Sequence, residues 1–171
     1  ETLATLLKAY QPYAIGGIGA MKYYMGDRSI SKELNVSTRQ SNTRIEIGGD
    51  WATVVVEKNS EFFTLPDSKK WYRELAISKA YKICLETPES LLIRIRPRAM
   101  KDYPEIVASF MKGVEFNLSN LQEMLARENK PVVFKRLSAY FEEFGRKKEA
   151  DLFKRTVKSR TDYNPPGASA V

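Results

Sequence analysis

The sequence predicts an α+β fold: a small, mostly antiparallel sheet with packed helices in the N-terminal half, followed by a helical C-terminal part. Three observations carry this reading. The first half holds short alternating or β-branched runs divided by glycine-rich turns, above all a hairpin signal around Gly48-Gly49-Asp50. From Thr87 onward, apolar residues recur at spacings of three and four, bracketed by caps and prolines. Hydrophobic residues make up 43% and charged residues 29% of the 171, a mix able to bury a core. Strands first and helices second is the α+β layout.

Residues 1–10 read as a short helix with Leu3, Leu6 and Leu7 on one face, ended by Pro12. An extended stretch over 13–15 passes through Gly16-Gly17 into a helix over 18–25, closed by Gly26. Alternation over 34–38 predicts a strand. The hairpin follows, with strands over 44–47 and 51–57, the second rich in Val and Thr. Residues 62–65 predict an edge strand ending at Pro66, 66–73 a polar loop carrying Trp71 and Tyr72, and 81–85 another strand.

Thr87-Pro88-Glu89 is a helix start, with Thr as N-cap, Pro at the first helical position and an acid in the first turn. The predicted helix spans 88–96 and breaks at Pro97. A second covers 103–111 and ends near Gly113. Asn117 or Ser119 caps a third, with Leu118, Leu121 and Leu125 on its apolar face. Pro131 opens a fourth, where Val133, Leu137, Tyr140 and Phe144 form a stripe widened by Phe134 and Phe141, and Gly145 terminates it. The fifth, over 147–158, carries Leu152, Phe153 and Val157. The tail 161–171, with Pro165-Pro166-Gly167, reads as flexible. Residues 1–160 thus form one predicted domain, sheet-rich over 1–86 and helical over 87–160.

Composition excludes several chemistries. There is no histidine, which removes any triad with a histidine base, any His-ligated zinc and any His phosphotransfer. The single cysteine, Cys84, excludes an internal disulfide and a Cys-cluster metal site, and suits a reducing cytoplasm. It falls in an apolar strand and reads as a buried structural thiol. No apolar run approaches the length of a membrane span, so no membrane partner is expected. The chain begins with Glu1 rather than Met and reads as trimmed, with room for a domain upstream. No catalytic residue, metal ligand or cofactor is predicted.

Three features bear on function. The Gly16-Gly17 turn places small residues where a strand hands over to a helix. Exposed amides there can hold a phosphate, but close packing of helix on strand is the simpler reading of the glycines. The spacing matches neither a P-loop nor the dinucleotide fingerprint. Downstream, Glu33-Leu34-Asn35 resembles the opening of the nucleotidyltransferase superfamily, where a Gly-Gly turn and helix precede a strand bearing D-x-D for magnesium. Asn35 lacks the charge a hard cation wants. A third acid would come from Glu46, Asp50 or Glu57, and nothing in the sequence selects one.

The third feature is charge. The formal net charge is +7, and residues 127–160 hold eleven bases against five acids, nearly all of that surplus. Lys135, Arg136, Arg146, Lys147, Lys148, Lys154, Arg155 and Lys158 are the candidate nucleic-acid surface. A solvated helix face, with bases complementing helix dipoles, accounts for the same pattern.

The layout as a whole resembles the C-terminal domain of the AbiEi family, antitoxins of type IV abortive-infection systems. Its pieces are Tyr13-Ala14-Ile15-Gly16-Gly17 with the helix Ala20-Met21-Lys22-Tyr23-Tyr24-Met25-Gly26, then Leu85-Glu86-Thr87-Pro88-Glu89-Ser90-Leu91-Leu92, then the segment from Phe134 to Gly145. None is a catalytic motif; each is a packing or capping pattern. The resemblance implies a non-enzymatic antitoxin and regulator domain. It would counteract a cognate nucleotidyltransferase toxin and assist DNA binding through the basic helices. Family members usually carry an N-terminal winged helix, and the residues before Tyr13 are too few to form one. A divergent nucleotidyltransferase-fold domain with little or no catalysis is the alternative.

Overall fold

The computed structural model describes residues 2–27, 32–40, 42–47, 52–59 and 62–161. The turn Gly48-Gly49-Asp50, Trp51 and the tail from residue 162 lie outside the described residues. The chain divides into two compact units, Glu1–Phe116 and Asn117–Val171.

The first unit is built on a six-stranded sheet in the order β3-β4-β2-β1-β6-β5. Its strands are β1 (Tyr13–Gly16), β2 (Glu33–Thr38), β3 (Thr43–Ile47), β4 (Ala52–Lys58), β5 (Tyr72–Ala76) and β6 (Lys82–Glu86). The pairs β1/β2, β3/β4 and β5/β6 are antiparallel, whereas β1/β6 and β2/β4 are parallel. The fold is α+β and the sheet is mixed with an antiparallel majority. Its helices are α1 (Thr2–Leu7), α2 (Gly17–Tyr24), α3 (Pro88–Ile93), α4 (Pro97–Asp102) and α5 (Pro104–Gly113). Helix α2 packs on β1, β2, α3 and α5.

Side chains alternate across a strand, and the two faces of β2 and β4 differ sharply. Val36, Val54 and Val56 are buried on one face. Glu33, Asn35 and Ser37 line the other, with Glu57 beside Ser37 across the β2/β4 pair. That polar face positions the site described below.

Thr87 starts α3 as predicted: its hydroxyl oxygen accepts from the Ser90 N–H at 3.3 Å. Helix α3 stops at Ile93, however, and Pro97 opens α4 rather than merely ending a longer helix. Proline suits a first helical turn as well as it breaks an interior one. Residues 62–64 form a 3-10 turn, not an edge strand. Phe62 and Phe63 are both buried, which a one-sided strand cannot achieve for neighbours, and the Phe62 N–H donates to Asn59 Oδ1 at 3.3 Å. The loop predicted over 66–73 gives way at Tyr72 to the unpredicted strand β5, closed onto β6 by the Ile77 N–H donating to Tyr81 O at 3.0 Å.

The second unit contains α6 (Leu118–Leu125), α7 (Pro131–Glu143) and α8 (Lys147–Thr161). Asn117 is the cap of α6, its Oδ1 accepting from the Asn120 N–H at 3.0 Å. Helix α7 packs along α8, with the Phe153 ring 5.5 Å from Phe134 and 5.8 Å from Phe141. The buried stripe of α7 is Val133, Phe134, Leu137, Ser138 and Phe141. Tyr140, predicted within it, is exposed and stacks on Phe144 at 6.2 Å on its rim. Gly145 ends the helix at φ +77°, in the left-handed region that glycine favours.

Candidate functional site: an arginine-rimmed cleft

A cleft of about 430 Å³ opens on the polar face of the sheet in the first unit. Glu33, Asn35 and Ser37 of β2 line it together with Glu57 of β4, the Gly16-Gly17 turn and Arg44 of β3. The other wall comes from the segment around α4, which contributes Arg94, Arg96, Arg98 and Tyr103. The structure thus brings the glycine turn, Glu33 and Asn35 into one cleft, and of the candidate third acids Glu57 lines it as well. Glu46 does not line the cleft, and Asp50 lies outside the described residues.

The glycines are explained by close approach. A Cβ on Gly16 would lie 1.8 Å from Glu86 Oε2. Gly17 sits at φ +64°, and a Cβ there would reach within 3.0 Å of the Asn35 side-chain nitrogen. Asn35 therefore packs over the head of α2.

The acids of the cleft do not converge. Glu33 and Ser37 are four residues apart on β2, about 13 Å of strand, and Glu57 pairs in register with Ser37. Among the described residues no three Asp, Glu or Cys side chains come close enough to hold a metal ion. Instead each acid meets an arginine. Glu33 lies 4.0 Å from Arg44, Asp102 accepts from Arg98 Nε at 3.3 Å, and Glu57 accepts from Arg96.

Below this rim is a buried polar node that the sequence reading missed. Glu86 is 5% exposed. Its Oε1 accepts from the Ser90 hydroxyl at 2.7 Å and lies 2.9 Å from Arg94 Nη1, an ion pair rather than an aligned hydrogen bond. Arg94 Nη2 donates to Ser37 Oγ at 3.3 Å, and the guanidinium sits 4.2 Å from the Phe62 ring centroid. Tyr24 donates its hydroxyl to Glu86 O at 2.6 Å, and burial pushes its pKa above 10.0 despite the nearby Arg73. One sequence signal was available: Ile93-Arg94-Ile95-Arg96-Pro97-Arg98 places an arginine at every second position.

The predicted basic residues all belong to the second unit. Lys135 and Arg136 are exposed on α7, and Lys147, Lys148, Lys154, Arg155 and Lys158 are exposed on α8. At 100° per residue, Lys147, Lys154 and Lys158 fall within about 40° of one another, with Lys148 and Arg155 beside them. Arg146 differs. Its side chain is only 18% exposed, it pairs with Glu149 at 2.9 Å, and its guanidinium lies 5.9 Å from the Phe141 ring. Lys154 faces Glu142 at 3.4 Å. Cys84 is half-buried in β6, and burial, with Glu74 adding repulsion, raises its pKa above the ordinary 9.0.

No protein-family model matches the chain, and none of the curated proteins matches it. Among solved structures, the fold is similar to the RV2827C protein from Mycobacterium tuberculosis, with a TM-score of 0.53 and 15% identity over 90% of this chain. This α+β arrangement therefore has a solved counterpart. The chain spans 56% of that protein's length. Among the described residues, no helix is long and apolar enough to cross a membrane.

Proposed function

We propose that the chain is an antitoxin-type regulatory domain resembling those of the AbiEi family, acting in the cytoplasm by binding rather than turnover. Its functional partner is a cognate nucleotidyltransferase toxin, and the exposed basic stripe of α8 assists contact with DNA. One observation carries the preference for binding. Where a nucleotidyltransferase would gather carboxylates around magnesium, this cleft presents Asn35, and its acids Glu33 and Glu57 lie four residues apart along the β2/β4 pair. The family-like segments support the same reading as scaffold: Thr87 caps α3, and the α7 segment supplies buried Leu137 and Phe141.

The test is to sequence the gene's neighbourhood for a nucleotidyltransferase gene and to co-express its product with the chain, scored as growth rescue. Rescue supports the proposal. The alternative, a divergent nucleotidyltransferase, is favoured by the glycine turn, Glu33 and Glu57 all lining one cleft. It predicts transfer of a labelled nucleotide by the purified chain, abolished by Glu33→Ala or Glu57→Ala; that result without growth rescue would replace our reading.

A further inference from the structure

The cleft has the size of a small-ligand pocket, and each of the four arginines that line it sits beside a carboxylate, some of these pairs exposed and one buried. We infer that it binds a nucleoside triphosphate through guanidinium groups, with no metal ion required. This goes beyond the antitoxin reading and stands whether or not a toxin partner exists.

The argument starts from the rim. Arg96 and Arg98 are 69% and 90% exposed, and each holds a carboxylate also open to solvent. Exposed ion pairs of this kind contribute little to stability, so these arginines are available to a stronger partner at small cost. A phosphate chain is such a partner, because it takes bidentate, charge-assisted hydrogen bonds from guanidinium. Arg44 approaches the same space from β3, its contact to Glu33 a loose 4.0 Å. Arg94 is different: packed on Phe62 and paired with buried Glu86, it is fixed, its charge is balanced, and it serves as a structural wall rather than a ligand-binding arm.

The second observation is Tyr103. It lines the same cleft as Arg98 and is 47% exposed, one of four large apolar side chains open to solvent among the described residues. An aromatic face next to a phosphate-binding rim suits a stacked base. Ligand binding then exchanges partners: the phosphate oxygens replace Glu57 and Asp102 on Arg96 and Arg98. Those two carboxylates are competitors of the ligand, and this gives the proposal an unusual sign.

The experiment is a calorimetric titration of the full chain with ATP, GTP, CTP, UTP and inorganic triphosphate, in EDTA. Binding of nucleotides by the wild type is expected, weakened at least tenfold in the Arg96→Ala, Arg98→Ala double variant. Glu57→Gln should strengthen it several-fold, an effect no structural role for Glu57 produces. Tyr103→Ala should weaken nucleotides towards the affinity of inorganic triphosphate, which it leaves unchanged. All four substitutions are at the surface, and circular dichroism confirms that each variant is folded. Absence of binding, equal binding by the double arginine variant, or binding that needs magnesium would each overturn the proposal. Equal affinity for nucleotide and triphosphate would overturn its nucleoside part.

Discussion

At the residue scale, Cys84 gives a prediction whose sign follows from burial. The thiolate is the nucleophile, and burial disfavours that charged form. Alkylation by iodoacetamide at pH 7.5 should therefore run at least several-fold slower than for a cysteine in an unfolded peptide. Linkage adds a stability consequence. The folded pKa lies above the unfolded 9.0, so this contribution is complete below pH 9 and is lost as pH rises through the folded value. Tyr13 and Tyr24, also raised by burial, extend the loss above pH 10. Urea midpoints should be level between pH 7 and 9 and then fall, and Cys84→Ala should remove the earliest part of the fall. A level profile to pH 11 would contradict this.

Glu86 offers a second residue-scale test. Removing one member of a buried ion pair strands the other charge, at a cost of about 3–5 kcal/mol. Because Arg94 remains 22% exposed, Glu86→Ala should destabilise by about 3 kcal/mol, the low end of that range. Unfolding in urea measures it, and a change within error would mean that Glu86 is not the anchor of Arg94.

At the scale of elements, α7 supplies the test. Leu137 and Phe141 are fully buried, and large-to-alanine changes in cores cost about 2–5 kcal/mol. Leu137→Ala should lower the melting temperature accordingly, whereas Tyr140→Ala, on the exposed rim, should leave it nearly unchanged. The helices with caps and sustained periodicity were legible in the sequence for this reason: Thr87, Asn117, Pro131 and Gly145 each mark a boundary by a local mechanism. Strand β5 was not. As an edge strand it buries little on either face, with only Tyr72 and Leu75 half-buried, so no alternation distinguishes it from a loop. Pro97 was ambiguous because proline both ends and begins helices, and only the extended Arg96 before it settles which. The cleft was half legible: Gly16, Gly17, Glu33 and Asn35 stand close in sequence, but Arg44, Glu57 and the arginines of 94–98 reach it only through sheet register and the turn into α4.

At the scale of the whole molecule, basic residues that composition merges are divided between two compact units. The change from strands to helices falls after β6, while the division between compact units falls thirty residues later, between Phe116 and Asn117. The arginines of the cleft thus belong to the first unit and the basic stripe to the second. The net charge of +7 does not reveal this, because the cleft arginines are balanced by their own acids. Residues 127–160 carry most of the surplus and α8 is their most basic part, whose predicted behaviour is weak, salt-sensitive DNA binding with little sequence preference. Each phosphate neutralised on duplex DNA should add about −0.9 to the slope of log affinity against log salt. A contact of three or four phosphates then fades steeply between low and physiological salt. The structure also chooses the variant. Arg146 is committed to Glu149 and packs near Phe141, so reversing it would disturb the fold. Lys147, Lys148 and Arg155 are exposed on α8 and are the positions to reverse. Titration of a labelled duplex at two salt concentrations should show the wild type binding at low salt only, and a Lys147→Glu, Lys148→Glu, Arg155→Glu variant not binding at either. Equal binding by the two would move the DNA contact off α8. Absence of binding by both would make the stripe a solvated face and leave the arginine-rimmed cleft as the remaining candidate surface.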